Sequence, residues 1–144
     1  MAQVVLDNSA VNGQPLGAKR MLMRASVATA DLTSFAPKSL IAEHVHDVPY
    51  LSLHVLGSYL EQGDAGAAAI DAPAASYHPA GTAHLDSIGS RGLTTVVISF
   101  DPTWLNHAVD ASVLPSQSTY WLGGATARAA SALANQCLAE IPTE

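Results

Sequence analysis

The sequence predicts a mainly β domain, an antiparallel sandwich or barrel with helix added at its C-terminal end. Residues 50–60 and 93–100 have the alternation and composition of strands, and glycine and proline punctuate the apolar segments around them. The last apolar segment, about residues 125–141, has the composition of a helix. Strands first and helix last indicate this architecture.

The size and charge of the chain narrow the function classes. A length of 144 residues suits one domain, and 49% hydrophobic residues can offset the entropy of ordering it. Only 12% of residues are charged, the net charge is −6, and no run of Lys or Arg occurs. This composition argues against direct nucleic-acid binding and against docking on anionic membranes.

Three observations predict a cytoplasmic protein. The first residues lack the charged start and apolar block of a secretory signal. No apolar stretch approaches the roughly 18 to 20 residues of a membrane span. Cys137 is the single cysteine, which excludes an internal disulfide and fits a reducing compartment.

The first third of the chain is expected to be turns and extended segments. Turn signals stand at Asn12-Gly13 and at Pro15-Leu16-Gly17. Residues 20–33 alternate apolar with small or polar residues and predict extended structure, and residues 34–38 predict a loop.

Residues 50–60 give the clearest strand. Its two faces differ, with Leu51, Leu53 and Val55 on one and Tyr50, Ser52 and His54 on the other. Both faces are expected to be shielded, one around a pocket and the other by a helix or a second subunit. Such shielding accounts for the low charge.

The segments after this strand are predicted as follows. Gln62-Gly63-Asp64 indicates a hairpin turn, and the alanine-rich residues 65–75 indicate a weak strand or loop. A turn is expected at Pro79-Ala80-Gly81 before the strand 93–100. Asp101-Pro102 is typical of an N-cap followed by proline at the first position of a short helix.

The final helix is predicted to bury one apolar stripe. Leu133, Cys137 and Ile141 recur at i, i+4 and i+8, which places them on one helix face. Cys137 is therefore interpreted as a small buried residue.

Histidines carry the chemistry that the sequence suggests. His44 and His46 are two residues apart, so in an extended chain both point to one face, where two imidazoles can converge on one metal ion. His84, just past the turn at residues 79–81, is the third candidate. The alternative is that these histidines line an interior without a metal.

Two stretches resemble the sequence motifs of the cupin superfamily. His44-Val45-His46, three residues, Tyr50, six residues and Gly57 is similar to the first motif, H-x-H-x(3)-E-x(6)-G. Residues 79–84, PAGTAH, are similar to the core of the second motif, P-x-G-x-x-H. The resemblance implies a double-stranded β-helix, or jelly roll, and a metal held by His44, His46 and His84.

The chain departs from the cupin pattern at four positions. Tyr50 stands at the glutamate ligand, Lys38 and Pro73 at the opening glycines of the motifs, and Ile88 at the final asparagine. The three-histidine-plus-glutamate site is therefore incomplete. Three histidines can still bind a divalent ion with open positions, and Asp47 and Asp86 are candidates for orienting them.

A narrower resemblance covers about residues 40–140. Residues 44–59, HVHDVPYLSLHVLGSY, with residues 78–84, HPAGTAH, and residues 89–105, GSRGLTTVVISFDPTWL, resemble the N-terminal domain of AraC-type transcriptional regulators. That resemblance implies a cupin-like sensor that binds a small-molecule effector and forms a homodimer. DNA contact would then belong to a helix-turn-helix domain absent from these residues.

Together these interpretations predict a jelly roll with one or two C-terminal helices. Residues 1–122 are expected to form the sensor domain, and residues 123–144 a helical segment that starts a linker. The ligand-binding candidates are Tyr50, His54, His78 and Asp86. The metal candidates are His44, His46 and His84, for one Zn, Fe or Ni ion or for no cofactor. The alternative function is a small metal-dependent cupin enzyme, a dioxygenase or isomerase, that uses the same three histidines.

Overall fold

A computed structural model describes residues 10–11, 14–15 and 17–139, with side chains from residue 17 onward. Strands dominate the described residues, as the sequence predicts. The strands are β1 (Ala10–Val11), β2 (Gln14–Pro15), β3 (Ala18–Arg24), β4 (Ala28–Phe35), β5 (Leu40–Val45), β6 (Tyr50–Gly63), β7 (Gly66–Asp71), β8 (Ala74–His78), β9 (Ala83–Phe100) and β10 (Thr119–Trp121). The helices are α1 (Pro102–Ala108) and α2 (Gly124–Ala139).

Two long strands organise the main sheet. Its order is β10-β8-β6-β9-β4-β3, with β5 added on β9 and β7 on β6, and the strand pairs are antiparallel. The 14 residues of β6 pair with β7, β8 and β9, and the 18 residues of β9 pair with β4, β5 and β6. Because each long strand changes partners along its length, the sheet bends around an interior. The alanine-rich residues 65–75 belong to β7 and β8 and are strand.

A bulge in β6 changes which side chains face that interior. The β6–β9 register shifts between His54 and Leu56 and again between Gly57 and Tyr59. Tyr50, His54, Tyr59 and Glu61 are all buried, although the first two and the last two differ in parity. Gly57 makes the bulge possible, because its φ is 90° and an added Cβ would lie 1.9 Å from the carbonyl oxygen of Gly92.

Helix α2 covers the outer face of β6. Ala130 and Ala134 pack on Leu53, Ala75 and Val96, so a helix shields this face, one of the two alternatives that the sequence left open. The predicted stripe is wrong at Leu133, which is 41% exposed, and Ile141 lies outside the described residues. The buried stripe consists of Ala127, Ala130 and Ala134, with Cys137 and Leu138 partly buried. Alanines occupy this face because their small side chains let the helix approach the sheet closely.

The start of α1 confirms the predicted cap. Asp101 is the N-cap, its Oδ1 accepts a hydrogen bond of 2.7 Å from the Trp104 backbone N–H, and Pro102 begins the helix. Neither helix in residues 17–139 combines the length and hydropathy that a membrane span requires.

Candidate metal and ligand site

Three imidazoles meet inside the bent sheet. His44 lies in β5, His46 directly follows β5, and His84 lies in β9 where β5 pairs with it in the register His44↔His84. The three candidate ligand nitrogens lie within 4.8 Å of one another. The ring centroids of His44 are 4.8 Å from those of His46 and 4.3 Å from those of His84. The structure therefore brings together the three histidines that the sequence grouped.

The three rings are in the form that binds metal. Burial lowers the pKa of His44, and burial together with neighbouring imidazoles lowers the pKa of His46 to about 2 and that of His84 to about 4. Each ring is therefore neutral near pH 7, as a metal ligand must be. His44 donates from Nδ1 to the carbonyl oxygen of Ala42 at 2.9 Å, which leaves its Nε2 lone pair free.

Tyr50 faces the same group from β6. Its hydroxyl oxygen lies 3.3 Å from Nε2 of His84, and its ring lies 4.6 Å from that of His46. Burial and nearby carboxylates raise the pKa of Tyr50 well above its usual value. The residue at the motif's glutamate position is thus a neutral phenol that can donate a hydrogen bond to a ligand.

A second buried cluster, which the sequence reasoning missed in part, adjoins the first. His78 donates from Nε2 to both carboxylate oxygens of Glu61, at 2.8 and 3.0 Å, and the Tyr120 hydroxyl donates to the same carboxylate. Burial raises the pKa of Glu61, but the bonds from His78 and Tyr120 and the charge of His78 outweigh burial and leave it below its usual value. The Tyr50 ring stacks on His78 with centroids 4.6 Å apart.

Asp86 completes this cluster from β9. It stands opposite Glu61 in the β6–β9 register, and its Oδ2 is 3.6 Å from Nε2 of His84. Its Oδ1 is buried without a hydrogen-bond partner, and burial with the charge of Glu61 raises the pKa of Asp86. Asp47, proposed from the sequence beside Asp86, is exposed instead and does not reach this interior.

His54 lies in a separate hydrogen-bonded group of the interior. Its Nε2 is 3.2 Å from the Ser76 hydroxyl oxygen and 3.2 Å from the Tyr59 hydroxyl oxygen. Burial lowers its pKa to about 3. His54 thus lines the predicted pocket, but its ring bonds to Ser76 and Tyr59 and not to the three metal candidates.

One cavity joins these groups. It has about 60 Å³ of room for water molecules, enough for about four or five of them. Its wall includes all seven residues proposed as ligands from the sequence, with apolar and hydroxyl side chains between them. The wall consists of Lys19, Thr33, Phe35, Ile41, His44, His46, Tyr50, Ser52, His54, Tyr59, Glu61, His78, His84, Asp86, Ile88, Leu93, Thr95 and Val97.

The sequence did not predict Glu61 or Tyr120 as site residues, for two different causes. The alternation that starts at Tyr50 places Glu61 on the opposite face, and the register shift between His54 and Leu56, just before Gly57, turns Glu61 inward. A glycine inside a strong strand is the signal that could have indicated the change of face. Tyr120 has no such signal, because its strand is only three residues long and is far from Glu61 in sequence.

Comparison with solved structures establishes the fold. KdgF from Halomonas sp. superposes with a TM-score of 0.50 at 14% identity, covering 59% of this chain and 81% of that one. The DMSP lyase DddQ from Ruegeria pomeroyi superposes with a TM-score of 0.53 at 13% identity, covering 59% of this chain and 47% of that one. A cupin 2 conserved barrel domain protein from Salinispora arenicola superposes with a TM-score of 0.52 at 16% identity, covering 62% of this chain and 79% of that one. No family model and no curated protein matches the sequence.

The chain therefore has the cupin fold, a jelly-roll barrel with a C-terminal helix. The interior donor set also fits a divalent transition metal. Three buried neutral imidazoles converge, and Nδ1 of His84 is buried with no hydrogen-bond partner. Histidine nitrogens suit Zn, Fe or Ni, so His44, His46 and His84 are the residues that would hold the ion.

Proposed function

We propose that this domain is the small-molecule-sensing domain of an AraC-type transcriptional regulator, with a metal ion held by His44, His46 and His84. The observation that carries the proposal is a hydrogen-bonded connection from the cavity to β10, the strand that precedes the C-terminal helix. Glu61 lines the cavity and accepts a hydrogen bond from Tyr120, and β10, which contains Tyr120, leads into α2. The resemblance over residues 40–140 supports the same reading.

The cavity chemistry suits a small polar effector. A bound metal would supply a Lewis-acid anchor for an oxygen or nitrogen of the effector. Tyr50 and Thr33 would donate hydrogen bonds, since both are buried and line the cavity. The room for about four or five waters favours a compact ligand over a large one.

The segment that would respond to the effector, β10 with α2, has a small interface with the rest of the domain. β10 pairs with β8 over three residues, and α2 docks mainly through alanines. An effector that pulls Glu61 or changes its partners alters the Tyr120 contact. It thereby biases the position of α2, a population shift between two arrangements of the same fold.

The partners follow from this role. We expect a homodimer, and we expect DNA contact through a segment outside the residues described. The six Lys and Arg residues of this chain are too few for a phosphate-binding surface.

The test separates binding from transmission. The full chain, loaded with Zn²⁺, is screened by thermal shift against small acids, sugars and aromatics, and amide exchange in residues 124–139 is then measured with and without each hit. Binding should slow or speed exchange in α2. In Tyr120→Phe the hit should bind with its affinity unchanged within about threefold, while the exchange response of α2 disappears. Hits that leave α2 exchange unchanged in the wild-type chain would contradict the sensor proposal.

A metal-dependent enzyme is the second candidate, and one observation favours it. Tyr50, Glu61 and Asp86 place a phenol and two carboxylates around the imidazoles, which are groups that can move protons at a bound substrate. The discriminating measurement is consumption. A screening hit that is converted by the Zn²⁺- or Fe²⁺-loaded chain, but not by His84→Ala, would favour the enzyme, whereas a hit recovered intact would favour the sensor.

A further inference from the structure

We propose that Glu61, His78 and His84 form a second divalent-cation site, which adjoins the three-histidine position through the shared ring of His84. One ligand atom from each of the three lies within 4.8 Å of the others, and all three residues are at most 3% exposed. The site does not depend on the first ion. It goes beyond the proposed function, because a sensor needs only one metal position.

The charge of this region calls for a cation. Glu61 and Asp86 stand opposite each other on neighbouring strands, where side chains approach to about 5 Å, and both are buried. Two carboxylates so placed repel each other when both are ionised, in keeping with the raised pKa of Asp86. Oδ1 of Asp86 is buried with no hydrogen-bond partner, so a cation beside the pair would both offset this repulsion and give Asp86 a partner.

The ring nitrogens beside these carboxyl groups point to a metal ion as that cation. Nε2 of His78 lies 2.8 and 3.0 Å from the two oxygens of Glu61, where an ion would replace the shared proton, and Nε2 of His84 lies 3.6 Å from Oδ2 of Asp86. Nδ1 of His84 is buried without a partner and remains available to the three-histidine position. Each imidazole offers two nitrogens, so His84 can serve one position from each edge of its ring. A ring used on both edges loses its N–H proton to solvent, in keeping with the release of protons that accompanies metal binding.

The donor set selects the class of ion. Two imidazoles and a carboxylate suit Zn²⁺, Co²⁺, Fe²⁺ or Mn²⁺, whereas Mg²⁺ and Ca²⁺ prefer sites built from oxygen alone. Tyr120 donates to Glu61 from the side of β10, so it would orient the carboxylate toward the ion.

The test counts ions in matched variants of the full chain. Chelator-treated protein is dialysed against Zn²⁺ and its metal content measured, and Co²⁺ absorption spectra report each coordination sphere. The wild-type chain should hold two ions. Glu61→Gln and His46→Ala should each lose one ion, from different positions and with different spectra. His84→Ala should weaken both. Glu43→Gln, the matched change at an exposed glutamate, should keep both ions.

The outcomes separate this site from the three-histidine site. A wild-type chain that holds one ion, kept by Glu61→Gln within about threefold in affinity and lost by His46→Ala, would overturn the second site and leave the proposed metal intact. One ion kept by His46→Ala and lost by Glu61→Gln would support the second site and contradict the three-histidine position. No ion in the wild-type chain would contradict both. If Glu61→Gln does not fold by circular dichroism, His78→Gln takes its place with the same expectations.

Discussion

At the scale of single residues, buried histidines make the stability of this protein depend on pH. His46, His54 and His84 are at most 9% exposed, and burial lowers their pKa from 6.5 to about 2, about 3 and about 4, respectively. Such rings are neutral in the folded chain but take up protons in the unfolded chain below about pH 6.5. Unfolding is therefore favoured by acid.

The first prediction is acid lability of the metal-free protein. Because the unfolded state binds more protons than the native state between about pH 6.5 and pH 4, the free energy of unfolding should fall as the pH falls. Each of these histidines contributes about 1.4 kcal/mol per pH unit in that window. Asp86, whose pKa burial raises, offsets one of them. Urea unfolding at pH 6.5, 5.5 and 4.5 measures the slope. A free energy of unfolding that does not change with pH would contradict the prediction. His54→Gln should reduce the slope.

At the scale of elements, the β6 bulge decides which residues enter the cavity. Gly57 has a φ of 90°, and an added Cβ would lie 1.9 Å from backbone of the facing strand. Gly66 has nearly the same φ, 89°, but has open space around it. The two glycines therefore separate the cost of backbone conformation from the cost of close packing.

The second prediction compares these glycines. Gly66→Ala should lower the free energy of unfolding by about 1 kcal/mol through its backbone conformation alone. Gly57→Ala should lower it by roughly 3 kcal/mol or more, because the backbones of β6 and β9 must also separate. Urea unfolding measures both changes. Equal losses would show that the close approach to Gly92 is unimportant.

The third prediction concerns the docking of α2. Ala134 is 2% exposed against the sheet, whereas Ala132 is exposed on the same helix. Ala134→Asp buries an unpaired carboxylate and should release α2, with faster amide exchange in residues 124–139 and a loss of roughly 3 kcal/mol. Ala132→Asp should change both measurements little. An undisturbed α2 in Ala134→Asp would contradict the packing described here.

At the scale of the whole molecule, an ion held by the three histidines would tie several strands together. The three-histidine position joins β5 to β9, and Tyr50 and His78 bring in β6 and β8. An ion bound to the folded chain alone would stabilise it by mass action. The stabilisation reaches about 2.7 kcal/mol when the free ion is at 100 times its dissociation constant.

The fourth prediction follows. Zn²⁺ should raise the unfolding temperature of the chelator-treated wild-type chain, and a chelator should reverse the change. His46→Ala should lose the part of the increase that the three-histidine position contributes, and His107→Ala should keep the whole increase, because His107 is exposed on α1. An equal increase in both variants would place the ion elsewhere.

The sequence by itself determined the mainly β class, the cap of α1, the final helix and the grouping of His44, His46 and His84. These features depend on local alternation, on capping chemistry and on motif spacing, all of which can be read within a few tens of residues. The tertiary structure alone decided that Glu61 joins the cavity, that Tyr120 bonds to Glu61, and that alanines, not Leu133, dock α2. The register shift between His54 and Leu56 reverses the faces of β6, and only the path of the neighbouring strands fixes where that shift occurs. The approach of a helix to a sheet likewise depends on the surface it meets, and no local pattern contains that surface.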